Sequence, residues 1–412
     1  MTDPVIRPDN GLFMFQIQAG GEGSPATLNP ATDVALLDVD SMQYTSPYKS
    51  EAVNEATGSF AASAPMVMGQ PFSFTFKARI RGAGPATVYT STVKPPLHPL
   101  LSACGLLGQF TPAVASAALT AGTTSTATLG TGFGATAQLY RGLPLILTGA
   151  PAANRMSLIT DYTAGRVATL ADLFGSALSA TNSAAIPAAW SYSPTTPYDS
   201  ASRIAMHPCG TAGWYEDGVL HQVTDVRGSV DFDGKSSAPG FGTFTLKGIY
   251  AGPVDAALPL NAVYSAVSAP MLVQGTSGQP AFQINRRGLP ISTWSVKMGA
   301  TLEDVEDPNT SYGYAASQLA DRSVVLECDP LRTQVAVRNV LADIGNYSQY
   351  PAGLQFGYTS GNRWSLLLPV VQPFASEPGM RDKLRSETNQ YQALSAGRDS
   401  ANRDGDLILS FS

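Results

Sequence analysis

Residues Phe72-Ser-Phe-Thr-Phe-Lys-Ala-Arg-Ile-Arg81 decide the fold. Apolar and polar side chains alternate throughout, and successive side chains of an extended chain point to opposite faces. Phe72, Phe74, Phe76, Ala78 and Ile80 therefore share one face of a strand, which Gly82-Ala-Gly-Pro85 ends. The alternation returns in Val226-Arg-Gly-Ser-Val-Asp-Phe-Asp233 and Gly242-Thr-Phe-Thr-Leu-Lys-Gly-Ile-Tyr250, with Gly240 and Gly242 as the break between them. Trp214-Tyr-Glu-Asp-Gly-Val-Leu-His-Gln-Val223 reads as a hairpin turning at Glu216-Asp-Gly218. Further strands are expected at 282–285, 291–298, 322–327, 364–369 and, at the end, 404–411. Helical signals are few. A short helix starts beside the prolines in 97–107, and residues 376–394 mix cap and charge signals that predict a second. With 39 Gly and 30 Pro marking turns, the expected class is all-β with minor helices.

Composition changes between 108 and 195. From Gln109 to Pro194 the only charges are Arg141, Arg155, Asp161, Arg166 and Asp172. The rest is Thr, Ala, Ser and Gly around short strands at 124–129, 143–148, 157–160 and 166–170, spaced as in a small antiparallel sandwich or barrel. This segment reads as an inserted domain, dividing a larger one into 1–107 and 196–412. Residues 1–30 read as a polar, turn-rich arm.

A chain of 412 residues fits two or three domains. Charged residues are 14%, against roughly 25% in ordinary globular proteins. Such a surface is covered by small polar residues or buried against other subunits. The net charge of −6 argues against a protein that grips nucleic acid, which needs clustered Lys and Arg facing phosphates. Cys104, Cys209 and Cys328 lie far apart without a CxxC pair and read as reduced, half-buried thiols. The start, MTDPVIRPDNGLF, lacks a basic-then-apolar signal, and no stretch approaches 18 apolar residues. The expectation is a protein made and folded in a cytoplasm without a membrane anchor.

Catalytic patterns are scarce. His98, His207 and His221 show neither HExxH nor HxH spacing. No GxSxG elbow occurs, and Gly275-Thr-Ser-Gly278 reads as a loop. Gly228-Ser-Val-Asp-Phe-Asp-Gly-Lys-Ser236 has the wrong glycine spacing for a P-loop and lies in a strand pattern. Paired acids can hydrolyse glycosides, which makes Glu216/Asp217, Asp231/Asp233 and Glu303/Asp304/Glu306/Asp307 the candidates. Asp231 and Asp233 would share a strand face roughly 6.5–7 Å apart, which suits a retaining pair or a calcium ligand set, but solvated strand or turn acids are the plainer reading. The expectation is no catalytic, cofactor-binding or metal-ligating residue, and no enzyme.

Met68-Gly-Gln-Pro-Phe-Ser-Phe-Thr-Phe-Lys-Ala-Arg-Ile-Arg-Gly-Ala-Gly84 followed by Pro96-Leu-His-Pro-Leu-Leu-Ser-Ala-Cys-Gly105 resembles the front half of siphophage major tail tube proteins. Tyr215-Glu-Asp-Gly-Val-Leu-His-Gln-Val-Thr-Asp-Val-Arg-Gly-Ser-Val-Asp-Phe232, then Gly242–Tyr250 and Pro253, is similar to that family's second half. One departure is Asp225-Val-Arg-Gly228, where the family usually has Gly-Ala-Arg-Gly. The inserted segment is similar to small β modules of phage structural proteins.

The resemblance implies a β-sandwich or barrel subunit that forms hexameric rings stacked into a tube. DNA would pass the lumen during ejection, without specific binding. Implied partners are copies of the chain, a tape-measure protein, and tail terminator and distal tail proteins. The implied location is the virion, assembled in the host cytoplasm. The insert is expected to decorate the outside, and the 1–30 arm to bridge rings. Alternatives are a terminator or distal tail ring, a carbohydrate-binding module using Tyr140, Tyr162, Trp190 and Tyr192, or a glycosidase using Asp231 and Asp233.

Overall fold

The computed structural model describes residues 11–38, 41–53, 55–56, 61–152, 155–264, 269–275 and 279–412. Residues 1–10 of the expected arm, and 276–278 of the loop at Gly275, lie outside the described residues.

Strands hold 46% of the chain and helices 5%, so the fold is all-β, as the alternation predicts. Phe72–Arg79 pairs with Gly240–Asp255 on one side and with the two-residue strand Gln43–Tyr44 on the other. Phe72, Phe74, Phe76, Ala78 and Ile80 are all buried in the main core.

Two long hairpins organise the larger sheet. In the first, Val219–Lys235 pairs with Gly240–Asp255 along nearly its whole length. The chain turns at 236–239, and Gly240 and Gly242 lie inside the returning strand instead of breaking it. They are glycines for lack of room: a Cβ on Gly240 would sit 2.6 Å from the Trp364 ring. In the second hairpin Trp364–Arg381 pairs with Leu384–Ala393. The helix expected over 376–394 is therefore absent. Met, Arg, Lys, Leu and Glu favour helix locally, but residues 389–392 pair with Val325–Cys328 on one side while residues 371–381 pair with Leu384–Ala393 on the other. Tertiary pairing overrides propensity here.

Both hairpins change partners halfway. Residues 219–226 pair with Gly210–Glu216, and 232–235 with Thr293–Lys297. Residues 364–371 pair with Tyr350–Phe356, and 364–367 also with Ile408–Phe411. These splits link everything into one 17-stranded sheet around one apolar core.

Gly11–Ile17 belongs to that sheet, between Gly210–Glu216 and Val34–Ala35. Leu12, Phe13, Met14 and Phe15 are buried, so residues 11–30 are not a free arm. Leu-Phe-Met-Phe is apolar on both faces, which a strand covered from both sides requires. Beyond it Gly23 N donates to Asp225 Oδ1 at 2.8 Å and Ala26 N to Thr211 Oγ1 at 2.9 Å.

Helix His98–Ala103 begins with a proline in its first turn and buries Leu100 and Leu101. It is shorter than expected because Leu106–Thr111 continues as a strand paired with Ala189–Pro194. Both of these strands belong to the larger sheet. The boundaries expected at 108 and 195 thus fall within or just past them, and the segment with its own sheet lies between.

That segment forms a 7-stranded sheet ordered Val114–Ala118, Ser183–Ile186, Pro144–Thr148, Met156–Tyr162, Val167–Leu170, Thr126–Thr128, Ala121–Gly122. Its first and last strands are one continuous stretch. Between them Leu119 N donates to Asn182 O and Thr120 N to Thr128 O, so the sheet closes as a small barrel. Leu119, Leu129, Phe133, Leu145, Leu147, Ile159 and Tyr162 help fill it. The barrel is docked against the larger sheet. Leu158 and Ala171 pack on Leu367 and Ile408, and Ser410 Oγ donates to Gly142 O at 3.0 Å. Deleting 108–195 would remove Tyr192, which is fully buried against Phe411. A deletion that asks what the insert does has to retain both stem strands.

Candidate assembly surface

The face of the large sheet opposite the aromatic core is polar. Apart from half-buried Phe241, its residues are polar: Ser73, Thr75, Lys77 and Arg79 pair with Lys247, Thr245, Thr243 and Phe241, which pair in turn with Arg227, Ser229, Asp231 and Asp233. The row continues from Asp233 through Ser295 and Glu327 to Gln390. Asp231 and Asp233 share this face as expected, and both are tied into the sheet. Met298 N donates to Asp231 at 2.8 Å, and Thr243 Oγ1 to Asp233 at 3.4 Å. Burial holds the Asp231 carboxyl above its ordinary range despite the Met298 hydrogen bond.

Asp225-Val-Arg-Gly228 forms a knot under this surface. The register slips between Thr224 and Arg227, leaving a bulge at Asp225, whose φ is 54°. Glycine adopts that conformation without strain, and aspartate tolerates it. Arg227 is buried, donating to His207 O at 2.9 Å and to Glu22 Oε1 at 2.7 Å. Gly228 faces Leu246 and the Thr245 carbonyl too closely for any side chain.

Sequence reading missed an ionic cluster at the C-terminal segment. Arg322 donates to Asp406 Oδ2 at 2.9 Å and to Asp404 Oδ2 at 2.6 Å, while Arg398 reaches Asp404 Oδ1 at 3.1 Å. Arg403 pairs with Asp399 at 2.7 Å and donates to Ser191 O at 2.8 Å. The run Arg398-Asp-Ser-Ala-Asn-Arg-Asp-Gly-Asp406 was a visible signal, but Arg322 lies far upstream and no spacing announces it. Hydrogen bonds from Thr196 and Arg322, aided by the charges of Arg322 and Arg398, hold Asp404 below the ordinary carboxylate range against the opposing effect of burial. Arg322→Met should therefore cost about 2–3 kcal/mol at pH 7, since it takes the cation from Asp406 and leaves Asp404 only Arg398 and Thr196. A depressed carboxylate stabilises above its unfolded pKa and loses that contribution as pH falls through its folded value. The gap between wild type and variant should thus narrow as pH falls below about 4. Urea titrations at pH 7 and pH 3.5 read this directly, and an equal gap at both would refute it.

The remaining sequence candidates are structural. His98 Nδ1 lies 2.9 Å from the Tyr192 hydroxyl and its Nε2 3.2 Å from Lys94 Nζ, and burial, aided by Lys94, pushes it down to about 4. His207 Nε2 lies 2.9 Å from Thr195 O, and His221 Nδ1 2.9 Å from the Tyr250 hydroxyl. Glu216 sits 3.5 Å from His221 beside the Asp217-Gly218 turn. Asp304 pairs with Lys247 at 2.9 Å, whereas Glu303 and Glu306 are exposed. Cys104, Cys209 and Cys328 are free and fully buried, more deeply than expected. Among the described residues no group of His, Cys, Asp and Glu could hold a metal ion. Tyr140, Tyr162, Trp190 and Tyr192 are all buried, so these four form no exposed platform for a sugar.

Exposed large apolar side chains are distributed unevenly. Tyr48, Met66 and Val67 lie on the small hairpin Tyr48–Glu51 with Met66–Gly69, outside both main sheets. Val254, Leu260, Val263 and Tyr264 lie on and after the end of the first long hairpin. Phe374, Met380 and Leu384 lie on the distal part of the second, with Val335 and Val337 on the adjoining loop. Among the described residues between 112 and 188, Leu173 is the one exposed large apolar side chain. No family model matches the chain, and no curated protein matches it in sequence.

Proposed function

We propose that the chain is a non-enzymatic structural subunit that assembles with copies of itself into stacked rings forming the tail tube of a tailed phage. The observation that carries this reading is the uneven distribution of exposed apolar residues. They lie on the small hairpin, on the distal parts of the two long hairpins, and on loops and short helices beside the large sheet, while the described residues of the barrel have almost none. A monomer that presents apolar hairpins to water is incomplete alone, and those hairpins gain most from a neighbouring subunit. The barrel, by contrast, has a finished surface suited to facing solvent. The polar face of the large sheet mixes Ser and Thr with acids and with cations, of which Arg79 and Lys247 are paired to Asp38 and Asp304, and so gives a surface along which DNA could pass without being held.

Light scattering and negative-stain microscopy over a range of concentrations test the proposal. Hollow rings or tubes with a central channel are expected. A compact monomer at every concentration would overturn it.

A further inference from the structure

Two of the exposed apolar groups lie along one long strand, one beside the middle of Val219–Lys235 and the other beyond its Lys235 end, and these two carry opposite net charge. Asp304 is anchored by Lys247, which pairs in register with Arg227. Around it Glu303, Glu306 and Asp321 are exposed, beside Val305. The loop that follows packs on the small hairpin through Tyr312 against Tyr48, with ring centroids 5.5 Å apart, adding exposed Tyr48, Met66 and Val67.

The other group begins past Lys235, which pairs with Thr293. Ser292 N and Thr293 N donate to Asp329, and Arg381 lies 3.7 Å from Asp329. Beyond it the tip of the second long hairpin exposes Lys383 and Arg385 beside Asp382, a net positive tip next to exposed Met380 and Leu384. Arg332 N donates to Arg385 O at 2.9 Å, bringing exposed Arg332 and the Val335–Val337 loop alongside. From Arg227 to Lys235 the strand rise alone separates the groups by about 26 Å.

Past residue 373 the outer edge of Trp364–Arg381 has no strand partner among the described residues. Its exposed Met380 and the cations of the tip cannot satisfy the acidic end of their own chain across that distance. They can satisfy the acidic end of another copy. We infer that subunits join head to tail, the basic hairpin tip of one docking on the acidic loop and small hairpin of the next. Such an interface is heterologous, using two different patches of each subunit, and it repeats without closing on a pair. This rests on the self-assembly reading above and adds which surfaces meet.

Charge reversal at each end tests it. Lys383→Glu with Arg385→Glu makes both ends acidic, and Glu303→Lys with Glu306→Lys makes both basic. These side chains are exposed, so folding should be unchanged by circular dichroism. Like charges then face each other across the contact, and each variant alone should need at least about 10-fold more protein to assemble. An equimolar mixture should assemble at the wild-type concentration, because acidic and basic ends then alternate. Carrying all four changes in one chain should restore assembly as well. Assembly of either variant like wild type, or failure of both the mixture and the fourfold variant to recover, would overturn the interface. If wild type forms hollow rings that ignore these changes, the tube reading stands and the interface falls. If it forms solid chains that the changes abolish, the interface stands and the tube reading falls.

Discussion

Phe74→Ala should cost about 3–5 kcal/mol, the range for emptying a buried aromatic site. Phe74 is 1% exposed, with its ring centroid 5.4 Å from Trp214, 6.0 Å from Phe72 and 6.2 Å from Phe76. Leu246 lies directly across on the paired strand. Collapse into the gap is opposed by the aromatic row itself, whose members are held by the register with Gly240–Asp255. Thr75→Ala, one residue away on the polar face, should change stability by no more than about 0.5 kcal/mol. Urea unfolding followed by tryptophan fluorescence measures both. Similar costs for the two would mean that the alternation does not set which face is core.

Gly228→Ala is expected to cost about 3 kcal/mol, the upper end for overpacking. A Cβ there would lie 2.1 Å from Leu246 Cδ2 and 2.5 Å from the Thr245 carbonyl oxygen. The leucine can rotate away, but the carbonyl belongs to a paired strand and cannot move without breaking the ladder. Adding Leu246→Ala should therefore recover only part of the loss. Gly132→Ala, with nothing within 4 Å of the new atom, is the matched control and should be near neutral. Full recovery in the double variant would place the whole conflict on the leucine.

The core strands were legible because their period is two and one face is apolar. Phe72 to Ile80 could hardly be read otherwise, and the Asp217-Gly218 turn was announced by its residue types. Gly11–Ile17 was not legible, since a strand covered on both faces loses its alternation and looks like any short apolar run. Residues 376–394 misled in the other direction. Their helix-forming side chains describe local preference, and only the partners at 325–328 and 364–381 decide the outcome. Pro378 and Gly379 inside that run were the signal against a helix. Of the candidate surface, Asp231 and Asp233 could be placed on one face by period alone. The Arg322 cluster and the opposed charges at 303–321 and 383–385 depend on segments brought together from distant parts of the chain, so no spacing in the sequence reports them.

The barrel enters and leaves the larger sheet through strands that pair Thr111 with Ala189. Paired residues on neighbouring antiparallel strands are about 5 Å apart at Cα, so the barrel's two ends emerge side by side. For the larger domain, the whole segment is then equivalent to the loop of a hairpin, and loop length is a weak term in stability. This makes position 111–189 a grafting point. Any compact module whose own termini lie close together could be exchanged there, provided that it covers Leu367 and Ile408 as Leu158 and Ala171 do now. The large sheet can thus keep one architecture while the cassette on its stem is replaced.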